Sequence, residues 1–442
     1  MNLVELRERL SELGCRHALI KSLAENDNSK NQIYLGGNFE AVNVLPHGNI
    51  VMDGNHAKAD LDLAWLTDEL TVERAPNAKL ILYPQYPEVR MSGFLKGARG
   101  APSALLNQRL AGRKLILGVR PSGSVVGWVC APDHEVAREL RSLELAGHGT
   151  FQSVFFRLEV DGGARGGEFE ILKALRDVHE MGWVSARRLN GGRVVRTNAQ
   201  NSGGYTLEAL LGVEANSVAG PDFIGWELKA FTAPSFDRLP LAKLLTVITP
   251  EPKEGFYATD GVESFVRRYG YADRRGRPDR LNFGGQYRVG KSVAITRLTM
   301  QLVGYESAKG GARGKITDLS EGAIQLVDET GNLAAAWPFL RLLSHWETKH
   351  AQAAYVPAVA RLLPDGVRQF QYGSSVSLGR RTDFLLFLEA LHRGLVVYDP
   401  GIKLEGAATA KPSVKRRSQF RIRFRDLENL YADFEERSVY DA

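Results

Sequence analysis

The sequence predicts two domains: a front domain of short β-strands, closed as a small barrel or packed as a sandwich, and a rear α/β domain. Three observations lead there. A chain of 442 residues exceeds the usual size of one domain, and its 44% hydrophobic content lets each half bury its own core. Asp161-Gly162-Gly163-Ala164-Arg165-Gly166-Gly167 has the composition of a flexible joint, which divides residues 1–160 from residues 168–442. Finally, Pro221-Asp222-Phe223-Ile224-Gly225-Trp226-Glu227-Leu228-Lys229 puts two carboxylates and an ammonium around one half-buried strand.

In the front domain, the spacing of residues 3–13 predicts a helix closed by Gly14. Strands follow at Ala18–Ile20, Gln32–Leu35, Asn49–Met52, Lys79–Tyr83, Leu115–Val119 and Val125–Cys130. Many short strands separated by Gly, Pro and Asn turns favour a barrel or sandwich. A helix from Asp133, its N-cap, to Leu145 ends the domain. Two loops, Lys21–Lys30 and Tyr86–Lys96, carry side chains able to bond phosphates or base edges; solvated turns are the common alternative.

The rear domain opens with a helix over 168–181, then a polar loop at 198–204 and a short helix from Thr206, as N-cap, to Gly212. Glu208 stands in its first turn, where it suits the helix dipole or serves as a third carboxylate ahead of Asp222. In Trp226–Phe231 the period of two sends Glu227 and Lys229 to one face and Trp226 and Leu228 to the core. Gly225 permits a return that brings Asp222 beside Glu227. Carboxylates hold Mg²⁺ through oxygen; with a lysine to orient water, that set suits phosphodiester hydrolysis. The pattern is short, and Glu251-Pro252-Lys253 and Glu347-Thr348-Lys349 repeat it. Prolines disqualify the first as a central strand, and helical spacing makes the second a solvated face.

Further on, Leu244–Pro250 is expected to extend the same sheet. Arg267-Arg268-Tyr269 and Arg274-Arg275-Gly276-Arg277 are expected in loops, as phosphate contacts or as solvated charge, and 292–303 as one strand. Near the end, Phe420, Ile422 and Phe424 alternate with Arg421, Arg423 and Arg425, predicting a strand with a row of guanidiniums. Arginine donating to guanine, with Asp399 accepting from cytosine, would read a G·C-rich site; a face paired to neighbouring acids is the alternative.

Composition bounds the classes. Lys+Arg number 57 against 51 Asp+Glu. Residues 1–165 hold 19 of each sign, so the whole surplus lies in residues 166–442, consistent with a polyanionic partner. Two cysteines, Cys15 and Cys130, give no disulfide framework and no Cys/His metal spacing. No apolar run approaches a membrane span and no secretory leader is seen, so a cytoplasmic protein without membrane contact is expected.

Several motifs also carry resemblances. Ile20–Asp27 followed by a strand, and Trp128-Val129-Cys130-Ala131 before an acidic helix, resemble the B3-like β-barrel effector domains of the EcoRII type, which hold DNA between two loop arms. That resemblance implies Lys21, Ser22, Asn26 and Asn28 on one arm, and Arg90 and Lys96 on the other. The second arm departs from the pattern, with prolines where the relatives are basic.

Gly182-Trp183 closing the first helix, the glycine loop before Thr206–Leu211, Pro221-Asp222-Phe223 with Glu227-Leu228-Lys229, Phe384–Gly394 and Phe420-Arg421-Ile422 resemble the MvaI/BcnI family of restriction endonucleases. More distantly they resemble MutH-type nickases. The resemblance implies a PD-(D/E)XK fold with Asp222, Glu227 and Lys229 catalytic and Glu208 helping to organise the metal site. It implies a monomer that cuts double-stranded DNA with Mg²⁺ at a short G·C-rich (CCNGG/CCWGG-like) site, strand after strand. A second copy of the site would sit on the front domain, and a cognate methyltransferase would share the cell. In that family histidines of the late segment read bases; here Lys415, Arg416, Arg417, Ser418 and Gln419 stand instead, with Arg421 and Arg423 after them. A strand-specific nickase and a DNA-binding regulator with an inert nuclease fold are the alternatives.

Overall fold

The computed structural model describes residues 1–442 except 26, 28–31, 37–41, 43, 55, 68, 84–87, 146–149, 161–166, 200–201, 214–222, 224–225, 308–313 and 351. The first helix, Leu3–Glu12, starts with a capping box between Asn2 and Glu5 and buries Leu3, Leu6 and Leu10. Gly14, at φ +78°, turns the chain out of it.

Two sheets follow. One has seven strands in the order Thr150–Gln152, Phe155–Glu159, His17–Leu23, Arg113–Val119, Val125–Cys130, Leu63–Leu66 and Val72–Arg74. The other has five, in the order Gln32–Tyr34, Glu88–Ser92, Lys79–Tyr83, His56–Asp60 and Val51–Asp53. The larger sheet is covered on both faces. Leu19 and Leu117 pack in one cluster with Leu80 and Met91 of the smaller sheet. Their neighbours Ile20 and Ile116 point the other way, against Leu6 and Leu10 of the first helix and Leu140 of helix Glu135–Leu145. Burial on both faces is why Leu115–Val119 and Val125–Cys130 are continuous apolar runs rather than alternating ones. Strands are therefore the dominant element here, as expected, although among the described residues neither sheet closes on itself.

Three local expectations are corrected. Glu88–Ser92 is a strand inside the expected loop, paired with both Lys79–Tyr83 and Gln32–Tyr34. The helix expected from Asp133 starts at Glu135, and the His134 ring, not Asp133, accepts from the Val136 amide. His56–Asp60, Leu63–Leu66 and Val72–Arg74 were not anticipated as strands, being short and interrupted by turn residues.

Burial, then the charges of Arg157 and Arg16, holds the His17 imidazole well below its ordinary value. The folded state thus disfavours the proton that the unfolded chain accepts near pH 6.5. This contribution is present above that pH and is lost as pH falls below it. Denaturant titrations between pH 7 and 5 should show stability falling, with a shallower fall in His17→Gln.

From residue 167 onward a six-stranded sheet forms the frame. Its path runs Val184–Ser185, Arg368–Tyr372, Gln352–Leu362, Ser375–Arg380 and Asp433–Ser438, and Glu227–Thr232 pairs in parallel with Gln352–Leu362. Helix Gly167–Glu180 packs Ile171, Leu172, Leu175 and Val178 on this sheet with Leu207, Trp226 and Leu228, the face its 3.6-residue period predicts. Leu245–Ile248 does not extend this sheet. It joins Phe420–Ile422 and Val397–Tyr398 in a separate three-stranded one. Arg267, Arg268 and Tyr269 end a helix, Gly261–Tyr269, rather than lying in a loop. The single strand expected over 292–303 is two, Ser292–Val293 and Leu298–Val303, with Arg297 between them at φ +53°. Among the described residues no helix is long and apolar enough to cross a membrane.

Candidate active site

Glu227 and Lys229 lie on the parallel strand Glu227–Thr232, whose neighbour Gln352–Leu362 sets Glu227 opposite Ala353 and Lys229 opposite Tyr355. Just ahead of them Phe223 and Trp226 form an antiparallel bridge, exchanging amide bonds of 3.0 and 2.8 Å. The expected return that would set Asp222 beside Glu227 runs through residues outside those described. Asp222 itself lies outside the described residues.

Glu227 is 4% exposed, and Lys229, half-buried, donates to its Oε1 at 2.5 Å. Oε2 is buried with no hydrogen-bond partner among the described residues. A carboxylate oxygen withdrawn from water and left without a donor is costly; a cation beside it removes the cost. Mg²⁺ takes oxygen donors of this kind, so the residues present fit a hard divalent ion. Among the described residues no group of three or more His, Cys, Asp or Glu gathers as a complete metal cage.

Two phenols lie within reach of the carboxylate's charge, Tyr355 on the neighbouring strand opposite Lys229. Tyr355 and Tyr431 are buried and bonded to each other at 2.9 Å. Burial first of all pushes both phenols up, and the charge of Glu227 adds to it. They are thus held as neutral hydroxyls. On the side of Trp226, Arg380 lies 5.4 Å from the indole centroid while bonding Glu435 at 2.6 Å and pairing with Glu168. The residue next to Glu227 is therefore clamped between helix Gly167–Glu180 and the sheet. Neither device had a local signal in the sequence, because the partners are dozens of residues apart or more.

The helix bearing Glu208 runs Gly203–Leu210 and packs against the Glu227–Thr232 strand, with Leu207 in one cluster with Trp226 and Leu228. Its start corrects the expected cap. Thr206 is inside the helix, donating to the Ser202 carbonyl at 2.8 Å and accepting from the Arg187 amide at 3.1 Å. Glu208 consequently sits in the second turn, half-buried. Its charge reaches the Tyr372 phenol, which burial already pushes up, and that phenol donates to the Gly203 carbonyl at 2.7 Å.

The late basic segment is less of a row than its alternation implied. The strand is only Phe420–Ile422; Arg423 precedes a 3₁₀ helix, Phe424–Leu430, and Arg425 lies within it. Arg421 bonds Asp399 at 2.6 Å and also donates to the Leu244 carbonyl. Gln419 donates to the Asp399 carbonyl at 2.8 Å, and Ser418 donates to the Pro250 carbonyl. Asp399, Ser418, Gln419 and Arg421 are thus engaged inside the protein, and the face is paired to its own acid. Lys415, Arg416, Arg417 and Arg423 are exposed.

In the front part, Lys21 is buried and pairs with Asp27 at 3.1 Å. Asp27 also accepts from the Ala24 amide at 2.8 Å. Ser22 accepts from Lys114 at 2.7 Å, and Lys114, almost fully buried, bonds both Glu144 oxygens at 2.6 and 2.8 Å. Arg90, on its strand, pairs with Glu88 at 2.8 Å and donates to Gln32 at 3.1 Å. Lys96 follows in the turn after that strand, its carbonyl accepting from Asn77 at 2.9 Å. Asn26 and Asn28 lie outside the described residues.

Comparison with known proteins adds the following. The model of the MvaI/BcnI restriction endonuclease family matches residues 172–431, more than half of the chain. Two solved structures are similar: restriction endonuclease MvaI with cognate DNA, at 18% identity and TM-score 0.45, and MvaI in the absence of DNA, at 17% and 0.34. Each alignment covers 62% of this chain and 99% of the other. No curated protein matches.

Proposed function

This chain belongs to the MvaI/BcnI restriction endonuclease family, and from that premise we propose that it is a type II endonuclease hydrolysing double-stranded DNA at the Glu227/Lys229 centre. The observation that carries the proposal is the buried, unpartnered Oε2 of Glu227 beside the Lys229 ammonium. Asp222 and Glu227 would hold Mg²⁺, with Glu208 helping to order the site. When bound, the ion supplies Lewis-acid polarisation of the scissile phosphate and neutralises the charge that builds on it. Lys229 orients the attacking water and donates to the developing oxyanion. The burial of Glu227 keeps water from its carboxylate, which strengthens each of these interactions.

The rest of the proposal concerns specificity and regulation. Residues 1–160 act as a separate B3-like domain, joined through 161–167, and engage a second copy of a G·C-rich, CCNGG/CCWGG-like site. The lysine and arginine side chains left exposed at 415–417 and 423 contact the cleaved site. The enzyme works as a monomer, and a methyltransferase of the same specificity protects the host. Incubation of supercoiled plasmid of known sequence with Mg²⁺ should give discrete linear fragments whose sequenced ends share one motif, and EDTA should abolish them. Open circles persisting without linear product would make the enzyme a nickase. An intact plasmid under every divalent cation tried would leave a DNA-binding protein with an inert fold.

A further inference from the structure

Between the first rear helix and the helix of Glu208 stands a two-stranded hairpin, Arg187–Asn190 with Arg193–Arg196, whose strands pair only with each other among the described residues. Gly191 and Gly192 form its turn at φ +55° and +72°, the two left-handed residues of a tight hairpin whose twist matches its strands. A Cβ built at either glycine would meet nothing within 4 Å; the tip is in open space. Four arginines occur in the ten residues 187–196, without one acid. Arg187 donates to the Ser185 carbonyl at 3.1 Å. Arg188, Arg193 and Arg196 are exposed and make no ion pair among the described residues.

The hairpin has two unlike faces. Period-two alternation puts Arg187 and Leu189, both half-buried, toward the Gly203–Leu210 helix, which the strand touches. Arg188, Asn190, Arg193 and Val195 share the opposite face and are all exposed. Uncompensated guanidiniums this close repel each other in the free protein, so the arrangement is favourable only opposite a polyanion. The hairpin is also rigidly rooted. Thr206 Oγ1 accepts from the Arg187 amide at 3.1 Å and can donate to its carbonyl at 3.2 Å. Thr197 donates its amide to the Ala186 carbonyl at 3.1 Å. The helix to which it is tied lies on the catalytic strand.

We propose that this hairpin is a DNA-gripping arm of the catalytic side, its outer-face Arg188 and Arg193 donating to phosphates of the duplex held at Glu227/Lys229. The inference rests on the nuclease reading, because it takes the substrate duplex as occupant. Four residues per strand extend roughly 13 Å, enough to follow the backbone over several phosphates at one per strand every ~3.4 Å. Such contacts fix position along the duplex and carry no sequence information of their own.

Each neutralised phosphate adds about 0.9 to the slope of log Kobs against log[salt]. Binding of full-length protein to a fluorescent duplex of random sequence, titrated with NaCl in EDTA, should therefore show a slope shallower by about 1.8 in Arg188→Ala/Arg193→Ala. The control Arg138→Ala/Lys291→Ala removes the same charge from exposed positions elsewhere and should keep the wild-type slope. A hairpin variant with an unchanged slope, or a control that falls equally, overturns the inference even if Mg²⁺-dependent cleavage stands. A wild-type protein that binds no duplex overturns the nuclease reading and this inference together.

Discussion

Lys229→Ala is expected to slow Mg²⁺-dependent cleavage by about 10²–10⁴-fold, the usual contribution of a positioned proton-handling group, while duplex binding persists. The ammonium holds Glu227 Oε1, so its loss leaves the buried carboxylate to be compensated by the added divalent ion, and the strand keeps its pairing with Gln352–Leu362. Both oxygens of Glu227 then face the ion. The loss should accordingly appear in the rate of the chemical step rather than in the metal concentration needed for half-activity. Single-turnover cleavage over a Mg²⁺ titration, with binding measured in Ca²⁺, separates the two. Cleavage by the variant at the wild-type rate would remove Lys229 from the mechanism. Glu227→Gln should differ in kind, raising the Mg²⁺ requirement, because it replaces the anionic donor and keeps the shape.

Lys114→Met should destabilise the front sheets by about 3–5 kcal/mol, the cost of breaking a buried ion pair from one side. Lys114 is 1% exposed and holds Ser22 and both oxygens of Glu144, tying strand Arg113–Val119 to the end of helix Glu135–Leu145. Without the ammonium, Glu144 keeps a mostly buried charge and no partner there. Replacing both members, Lys114→Met with Glu144→Leu, should recover most of the loss, because the desolvation cost disappears with the charges. Urea unfolding followed by pulsed hydrogen exchange of the amides in strands Arg113–Val119 and Val125–Cys130 reads the front sheets. A midpoint for the single variant equal to wild type would show the pair to be energetically idle.

What the sequence disclosed and what it concealed divide along a physical line. Features determined within a few residues were legible. Examples are the alternating Trp226–Phe231 run, the helical period of 168–181, and the glycine stops at Gly14 and Gly212, both of which take positive φ. Features determined by distant partners were not. Alternation in 420–425 announced a strand of guanidiniums, but nothing local shows that Asp399, 22 positions earlier, accepts from Arg421. Likewise, the apolar run at Leu245–Ile248 proclaims a strand without naming its sheet. Thr206 satisfies every rule for a cap, yet its hydroxyl is used by Arg187, and the cap position falls four residues sooner, at Ser202. One local signal was available and went unused: Asn190-Gly191-Gly192 between two short β-prone runs marks a hairpin.

The parallel pairing of Glu227–Thr232 with Gln352–Leu362 has a temporal consequence. During synthesis, the strand bearing the acid and the lysine emerges more than a hundred residues before the neighbour that supports it. At ordinary elongation rates this is an interval on the order of ten seconds. Throughout it, the nascent polypeptide carries the reactive groups without the scaffold that aligns them. On the proposed assignment of Glu227 and Lys229, a ribosome-bound fragment would lack the aligned pair until translation is nearly finished.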